Sequence, residues 1–433
     1  MIDTLLDIAS DAVAHARKIG ADAAEAIIVD GRATDIEMRE GKIEKLEQAE
    51  ARSISLRVFH GKSSASISGS VLTREAIIRL AENALAIARL APPDPHSGIA
   101  DSGQLATSFP ALDLESESLP DTAGLEAMAR EAEQAALSVS GVAKSGGAGA
   151  SVFDRSMALV ISNGFAQGYR RTNASVSVSA IAGEGTSMVR DYDYSSAVHR
   201  ADLRSCESVG IEAGQRAARR LHPRKVKSQA VPVFYDRRVA SSLIGHLLGA
   251  INGAAIARGT SFLKTKLGQQ IFPTGIAIVD NPFKARAPGS RPFDGEGLAG
   301  AARNIIDQGV LTGWLLDLRS ARQLGLAPTS GASNIHMQAG TLSPQALMRD
   351  VTNGLYVTEM IGASIDMVTG DYSRGASGFW IENGELTYPV SEITIAGNLK
   401  DMFMSVTPAN DLEFRSSVNS PTCRVEGLTI AGL

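Results

Sequence analysis

Residues 239–257 (VASSLIGHLLGAINGAAIA) carry no Asp, Glu, Lys or Arg, and any fold for this chain must place that run away from free solvent. Its length approaches a bilayer span. Against a span stand Ser241, Ser242, His246 and Asn252, three glycines, and the charged segments that follow at once. Such a stretch specifies a helix buried in a soluble core, with no membrane contact. Gly245, Gly249 and Gly253 are spaced four apart, and each costs about 1 kcal/mol relative to alanine inside a helix. The stripe therefore predicts close approach by another backbone segment.

The chain before this run repeats a pattern. Residues 1–90 give a helix (Leu5, Ile8, Ala9, Ala12, Val13 and Ala16 at three- and four-residue steps), then strands punctuated at Gly31, Gly41 and Gly61, then a second helix. Ile54, Leu56 and Val58 alternate as one buried strand face requires, and Thr73 is placed to cap the second helix until Pro92 and Pro93 stop it. Residues 91–121, rich in proline, serine and acid, form a linker. A helix near 122–139, strands near 150–193 and a helix carrying Leu203, Cys206, Val209, Ala213 and Ala217 follow, so 122–228 is a second α/β unit that suggests duplication. Residues 219–230 are a basic interdomain stretch. From 229 to 433, short apolar runs alternate with Gly and Pro turns, the pattern of a mainly antiparallel β domain with a few helices. Asp236 is placed to cap the helix of the uncharged run. The fold class is α+β.

A net charge of −5 offers no field for nucleic acid. Two cysteines, Cys206 and Cys423, form neither a disulfide framework nor a CxxC site. The first residues lack a signal-peptide pattern, and the expected location is the cytoplasm.

Most chemical motifs fail on context. "GEGLAG" matches GxGxxG at Gly295, Gly297 and Gly300, but turn residues precede it where a dinucleotide site needs a strand. No Walker A or GxSxG sequence is present. Catalytic zinc needs several fixed imidazoles or carboxylates. The seven histidines are scattered singly, and His246, alone on an apolar helix, reads as a satisfied buried or edge side chain. Asp371, Tyr372, Ser373 and Arg374 form a polar group expected in a β-turn between strands, where such side chains cap backbone groups.

Several long segments, in order, resemble the TldD/PmbA family: "MVRDYDYSSAVHRADL" at 188–203, "ARGTSFLKTKLGQQIFP" at 257–273, "RPFDGEGLAGAARNIIDQGVLTGWLLDLRSARQLGLAPTSGASN" at 291–334 and "GDYSRGASGFWIENGELTYPVSEITIAGNL" at 370–399. The likeness is to the PmbA branch, also called TldE and named for a candidate role as modulator of DNA gyrase. It implies a peptidase system in which TldD is a zinc metallopeptidase with an HExxxH helix and a later cysteine ligand. TldE pairs with TldD, and the pair trims unfolded peptides. Anchored on "RGTS" (258–261), the resemblance sets Ile244 and Gly249 where the two histidines stand, Gly245 at the glutamate and Thr407 near the cysteine. No metal or catalytic residue is therefore expected in this chain. Cys423 reads as a core residue of the last strand.

The resemblance implies a non-catalytic subunit of a metallopeptidase complex, with no cofactor of its own and zinc in a TldD-like partner. The expected partners are that subunit, or a second copy in a homodimer, and unfolded peptides. Arg258, Thr260, Ser261, Asp371, Tyr372, Ser373 and Arg374 are the residues expected to contact peptide or partner. Two alternatives remain: an independent peptidase built on other residues, with Ser373 as the candidate, and a regulatory protein binding DNA gyrase.

Overall fold

The computed structural model describes residues 2–432. The first unit comprises α1 (Ile2–Lys18), β1 (Ala23–Arg39), β2 (Lys42–His60), β3 (Ser63–Gly69) and α2 (Arg74–Leu90). The second comprises α3 (Thr122–Leu137), β4 (Val142–Ile161), β5 (Ala166–Ala182), β6 (Val189–Ala197) and α4 (Cys206–Arg219). The six strands make one sheet, in the order β3-β2-β1-β4-β5-β6. Each unit thus runs outward from its own first strand, and the two meet back to back where β1 pairs antiparallel with β4. The expected duplication takes the form of a single shared sheet.

Strand periodicity assigns the two faces of that sheet. Ala24, Ala26, Ile28, Ala158 and Val160 lie under α1 and α2, while Ile36, Met38, Ala148, Ala150 and Val152 lie under α3 and α4. All are even-numbered, so the four helices cover one face. Ile54, Leu56 and Val58 are completely buried, as their alternation required. The Thr73 side chain caps α2 by accepting from the Ala76 N–H. The other face presents Ile27, Met157, Leu159 and Ile161, which pack with Phe165, Tyr169 and Phe293. Residues 91–121 are bound to the rest of the molecule: Asp94 pairs with Arg319, Leu105 bridges to Leu298, and Phe109 sits edge-on to Phe165 and Phe293.

The C-terminal part begins with β7 (Gln229–Tyr235), α5 (Arg237–Ala250) and α6 (Gly253–Ala257). It continues through β8 (Ile278–Asp280), β9 (Arg303–Asp307), β10 (Val310–Leu311), α7 (Leu318–Leu324), β11 (Ile335–Met337) and α8 (Pro344–Met348). It ends with β12 (Asn353–Ile365), β13 (Asp371–Glu382), β14 (Glu385–Asn398), α9 (Leu399–Met404), β15 (Thr407–Pro408), β16 (Val418–Asn419) and β17 (Cys423–Ala431). The short strands form a sheet in the order β10-β9-β8-β11-β16. The long ones run β14-β13-β12-β7-β17-β15, and β14 also pairs with β17, which closes five of them into a ring. Pairings are antiparallel except β7 with β12 and β11 with β16. The fold is α+β, as expected from the sequence.

The uncharged run differs from its expected form. It is two helices, because the chain turns at Ile251 and the Asn252 side chain caps α6 by accepting from Ala254 and Ala255 N–H. Asp236 caps α5 as expected, accepting from the Arg238 N–H. Among the described residues no helix is long and apolar enough to cross a membrane. The glycine stripe also needs correction. A Cβ on Gly253 would collide with the Leu315 carbonyl and the Ser320 hydroxyl, so close approach explains that glycine. A Cβ on Gly245 would meet nothing within 4 Å, and one on Gly249 would meet only the end of Met367 at 3.1 Å. Gly245 faces open space, and Gly249 is approached only by the end of that one side chain.

Candidate functional site

α5 has one buried side and one open side. Ala240, Leu243, Ile244, Leu247 and Ala250 are almost wholly buried in the main C-terminal core, while Gly245 and Gly249 are exposed. Cavities flank the open side. A cleft of roughly 760 Å³ lies between the C-terminal part and the uncovered face of the N-terminal sheet; Leu248, Gly249 and Asn252 line it together with Tyr169, Phe293 and Glu296. A smaller pocket of roughly 320 Å³ lies beside the first turns of α5, at Ser241 and Ser242.

A desolvated charge network joins the two parts of the molecule beside that pocket. Asp193 on β6 is 1% exposed and takes Arg204 at 2.5 Å, Arg216 at 2.9 Å and Arg415 at 2.9 Å. Burial pushes its carboxyl up, but the three guanidiniums outweigh that and hold it below the usual range. Asp191 takes Arg238 at 2.9 Å and Arg220 at 3.5 Å, and Arg220 also reaches Glu359 at 2.5 Å. Arg238, Glu359 and Arg415 belong to the C-terminal part, so these carboxylates and arginines fix α5 against β6. Sequence reasoning missed this joint. Its signal was Asp191, Asp193 and Ser195 in alternation, all buried on one face of a strand.

The cleft has an acidic wall in the "GEG" turn. Asp294 accepts from the Glu296 and Leu298 N–H groups, both at 2.9 Å, which makes residues 294–298 a turn rather than a phosphate loop. Burial, opposed by a hydrogen bond from the Leu318 N–H and reinforced by Asp294 and Asp317, pushes the Glu296 carboxyl up to about 7. No sequence pattern marked Glu296.

The residues expected to contact peptide or partner do not converge. Arg258 ends α6 and is exposed, and exposed Thr260 donates to the Ala255 carbonyl at 3.3 Å. Ser261 is 1% exposed; it donates to the Ala250 carbonyl at 2.5 Å and accepts from the Leu263 N–H, so it finishes α5 and touches no surface. Asp371 to Arg374 open β13 rather than forming a turn between strands. Alternation therefore divides them. Asp371 and Ser373 are exposed, with Asp371 accepting from Thr369 and Asn398, while Tyr372 is buried and Arg374 half-buried on the other face. Among the described residues Ser373 has no hydrogen-bonded histidine or carboxylate, so the arrangement a serine nucleophile needs is missing there.

Behind α5, Tyr372 contacts Tyr235 hydroxyl to hydroxyl at 3.4 Å, and the His246 ring stands edge-on to Tyr372 at 5.8 Å. His246 is not the satisfied side chain expected from the sequence, because its Nε2 is buried without a partner. Burial, with Arg374 adding to it, pushes the imidazole down to about 4, so the ring is neutral at pH 7.

A zinc ion does not fit the positions where the family resemblance would put it. Ile244 is in the core, Gly245 and Gly249 have no side chain, and Thr407 is exposed on β15, which lines neither cavity beside α5. Cys423 starts β17 completely buried, its thiol pushed up to about 12 by burial. Among the described residues no three His, Cys, Asp or Glu side chains gather where they could hold a metal.

Comparison with known proteins agrees along the chain. Residues 24–88, 113–221 and 228–432 match the first, central and C-terminal domain models of the PmbA/TldA metallopeptidases. The chain is 40% identical to "Metalloprotease PmbA" of Escherichia coli O157:H7 over 95% of its length and 92% of that protein's. It is 35% identical to a "Metalloprotease PmbA homolog" of Haemophilus influenzae, covering 98% and 95%. The crystal structure of a candidate modulator of DNA gyrase from Bacteroides thetaiotaomicron superposes with a TM-score of 0.93 at 30% identity, covering 99% and 98%. TldE from Thermococcus kodakarensis shares the fold, with a TM-score of 0.85 at 19% identity. With all three domain models in order and relatives matched almost end to end, the chain belongs to the PmbA/TldD metallopeptidase family.

Proposed function

We propose that this chain is the non-catalytic subunit of a two-component metallopeptidase, holding extended, unfolded peptide beside a zinc that a TldD-like partner supplies. The observation that carries this reading is α5 itself, whose ligand-equivalent positions hold Ile244, buried in the core, and Gly245 and Gly249 on the bare open side. A glycine surface cannot polarise a scissile carbonyl, but it leaves room for a main chain to lie close. Main-chain pairing with a sheet edge near that surface would suit an unfolded substrate, because it ignores side-chain identity. The charge network at β6 supports the same reading by fixing α5 against the N-terminal sheet, so that the cleft between them keeps its shape.

Reconstitution tests this. The purified chain is expected to leave a flexible peptide intact. Addition of a TldD-like partner is expected to start cleavage, and a partner lacking its own histidine ligands is expected not to. Cleavage by the chain alone would refute the subunit role.

A further inference from the structure

The pocket of roughly 320 Å³ beside α5 is lined by three arginines, Arg220, Arg238 and Arg374, and two carboxylates, Asp191 and Glu359. The carboxylates are already engaged. Arg238 is held by Asp191 at 2.9 Å, and Arg220 by Glu359 at 2.5 Å and Asp191 at 3.5 Å. Arg374 has no counter-ion among the described residues, and its Nε is buried without a hydrogen-bond partner. The Thr358 hydroxyl, on the same pocket wall, is likewise buried and unpartnered. The other groups near Arg374 supply no negative charge: His246 is neutral, and the Tyr372 and Tyr235 hydroxyls bond to each other.

A half-buried guanidinium with no anion is costly, because the charge loses hydration and gains no Coulomb attraction in return. Its planar fork matches a carboxylate with two parallel hydrogen bonds. The pocket is small, and its lining sets the arginines beside apolar Val239 and Met360, so it suits a short anionic group at the end of, or projecting from, an extended chain.

We propose that this pocket binds a peptide carboxylate, with Arg374 as its counter-ion and the Thr358 hydroxyl as a second donor. The proposal rests on the peptide-holding reading above and deepens it. The pocket would anchor one carboxylate while the bare side of α5 passes the main chain toward the cleft.

Calorimetric titration of the full-length chain tests it with three probes: an acetylated penta-alanine with a free C-terminal carboxylate, the same peptide as its C-terminal amide, and an amide with one internal glutamate. The free acid is expected to bind at least tenfold more tightly than the plain amide. Arg374→Gln is expected to abolish that preference, and Arg374→Lys to keep part of it. An internal-glutamate amide that matches the free acid identifies a pocket that accepts any peptide carboxylate; one that matches the plain amide identifies a reader of the chain end. Equal binding of free acid and plain amide by the unaltered chain would overturn the carboxylate site and leave peptide holding intact. Absence of binding by every probe would overturn both. Because the acid–amide comparison uses the unaltered chain, it stands even if an Arg374 variant folds poorly.

Discussion

The two sides of α5 belong to one short helix, yet they follow different rules. On the buried side Leu243, Ile244 and Leu247 are almost wholly buried and held by core packing. On the open side Gly245 and Gly249 touch almost nothing, although alanine would make a better helix at both. A helix with no role beyond support would carry side chains there. The contrast separates what the fold requires from what it leaves clear, and the clear side adjoins the cleft and the arginine pocket.

Substitutions on each side test that contrast, and the largest effect belongs to the core. Ile244→His places an imidazole in a site with no polar partner; it is expected to lower unfolding stability by about 3 kcal/mol in urea titration. A loss under about 1 kcal/mol would mean the position is open after all.

On the flank, His246 is neutral in the fold and its proton affinity is depressed. The unfolded chain therefore binds the proton first as pH falls, so stability is fully present above about 6.5 and is lost toward 4. The slope is at most about 1.4 kcal/mol per pH unit, reduced by the ring's partial exposure. His246→Leu is expected to flatten that part of the curve; an unchanged acid limb would mean another group is responsible.

The open side should respond in the opposite direction. Gly245→Ala is expected to stabilise the chain by up to about 1 kcal/mol, since the added methyl meets nothing. Gly249→Ala is expected to gain less, about 0.5 kcal/mol, because the end of Met367 must shift from 3.1 Å. If the bare surface serves peptide passage, both variants should weaken peptide binding while they stabilise the fold. Stabilisation with unchanged binding would separate the glycines from function.

Local features were legible in the sequence. Helix phases, the Thr73 and Asp236 caps and the alternation at Ile54, Leu56 and Val58 all depend on neighbours within a few residues. The sharing of one sheet by the two units was not legible, because the β1–β4 pairing joins segments more than a hundred residues apart and leaves no local mark. At the site, the identities of Ile244, Gly245 and Gly249 were legible, but their surroundings were not. The spacing of Gly245, Gly249 and Gly253 is the same whether a backbone approaches or nothing does, and only Gly253 meets one. The group at Asp371 to Arg374 looked like one cluster because the strand began earlier than its polarity suggested, and alternation then divided it between two faces. Arg374 stood out only once its neighbours were known, since lacking a counter-ion is a property of the surroundings.

Elemental analysis of the purified chain after equilibration with zinc and removal of loosely held ions tests the central claim most directly. The account expects far less than one ion per chain, with no change when Gly245 and Gly249 are replaced by alanine. One tightly held zinc per chain, seated against α5 and accompanied by peptide cleavage without a partner, would contradict it.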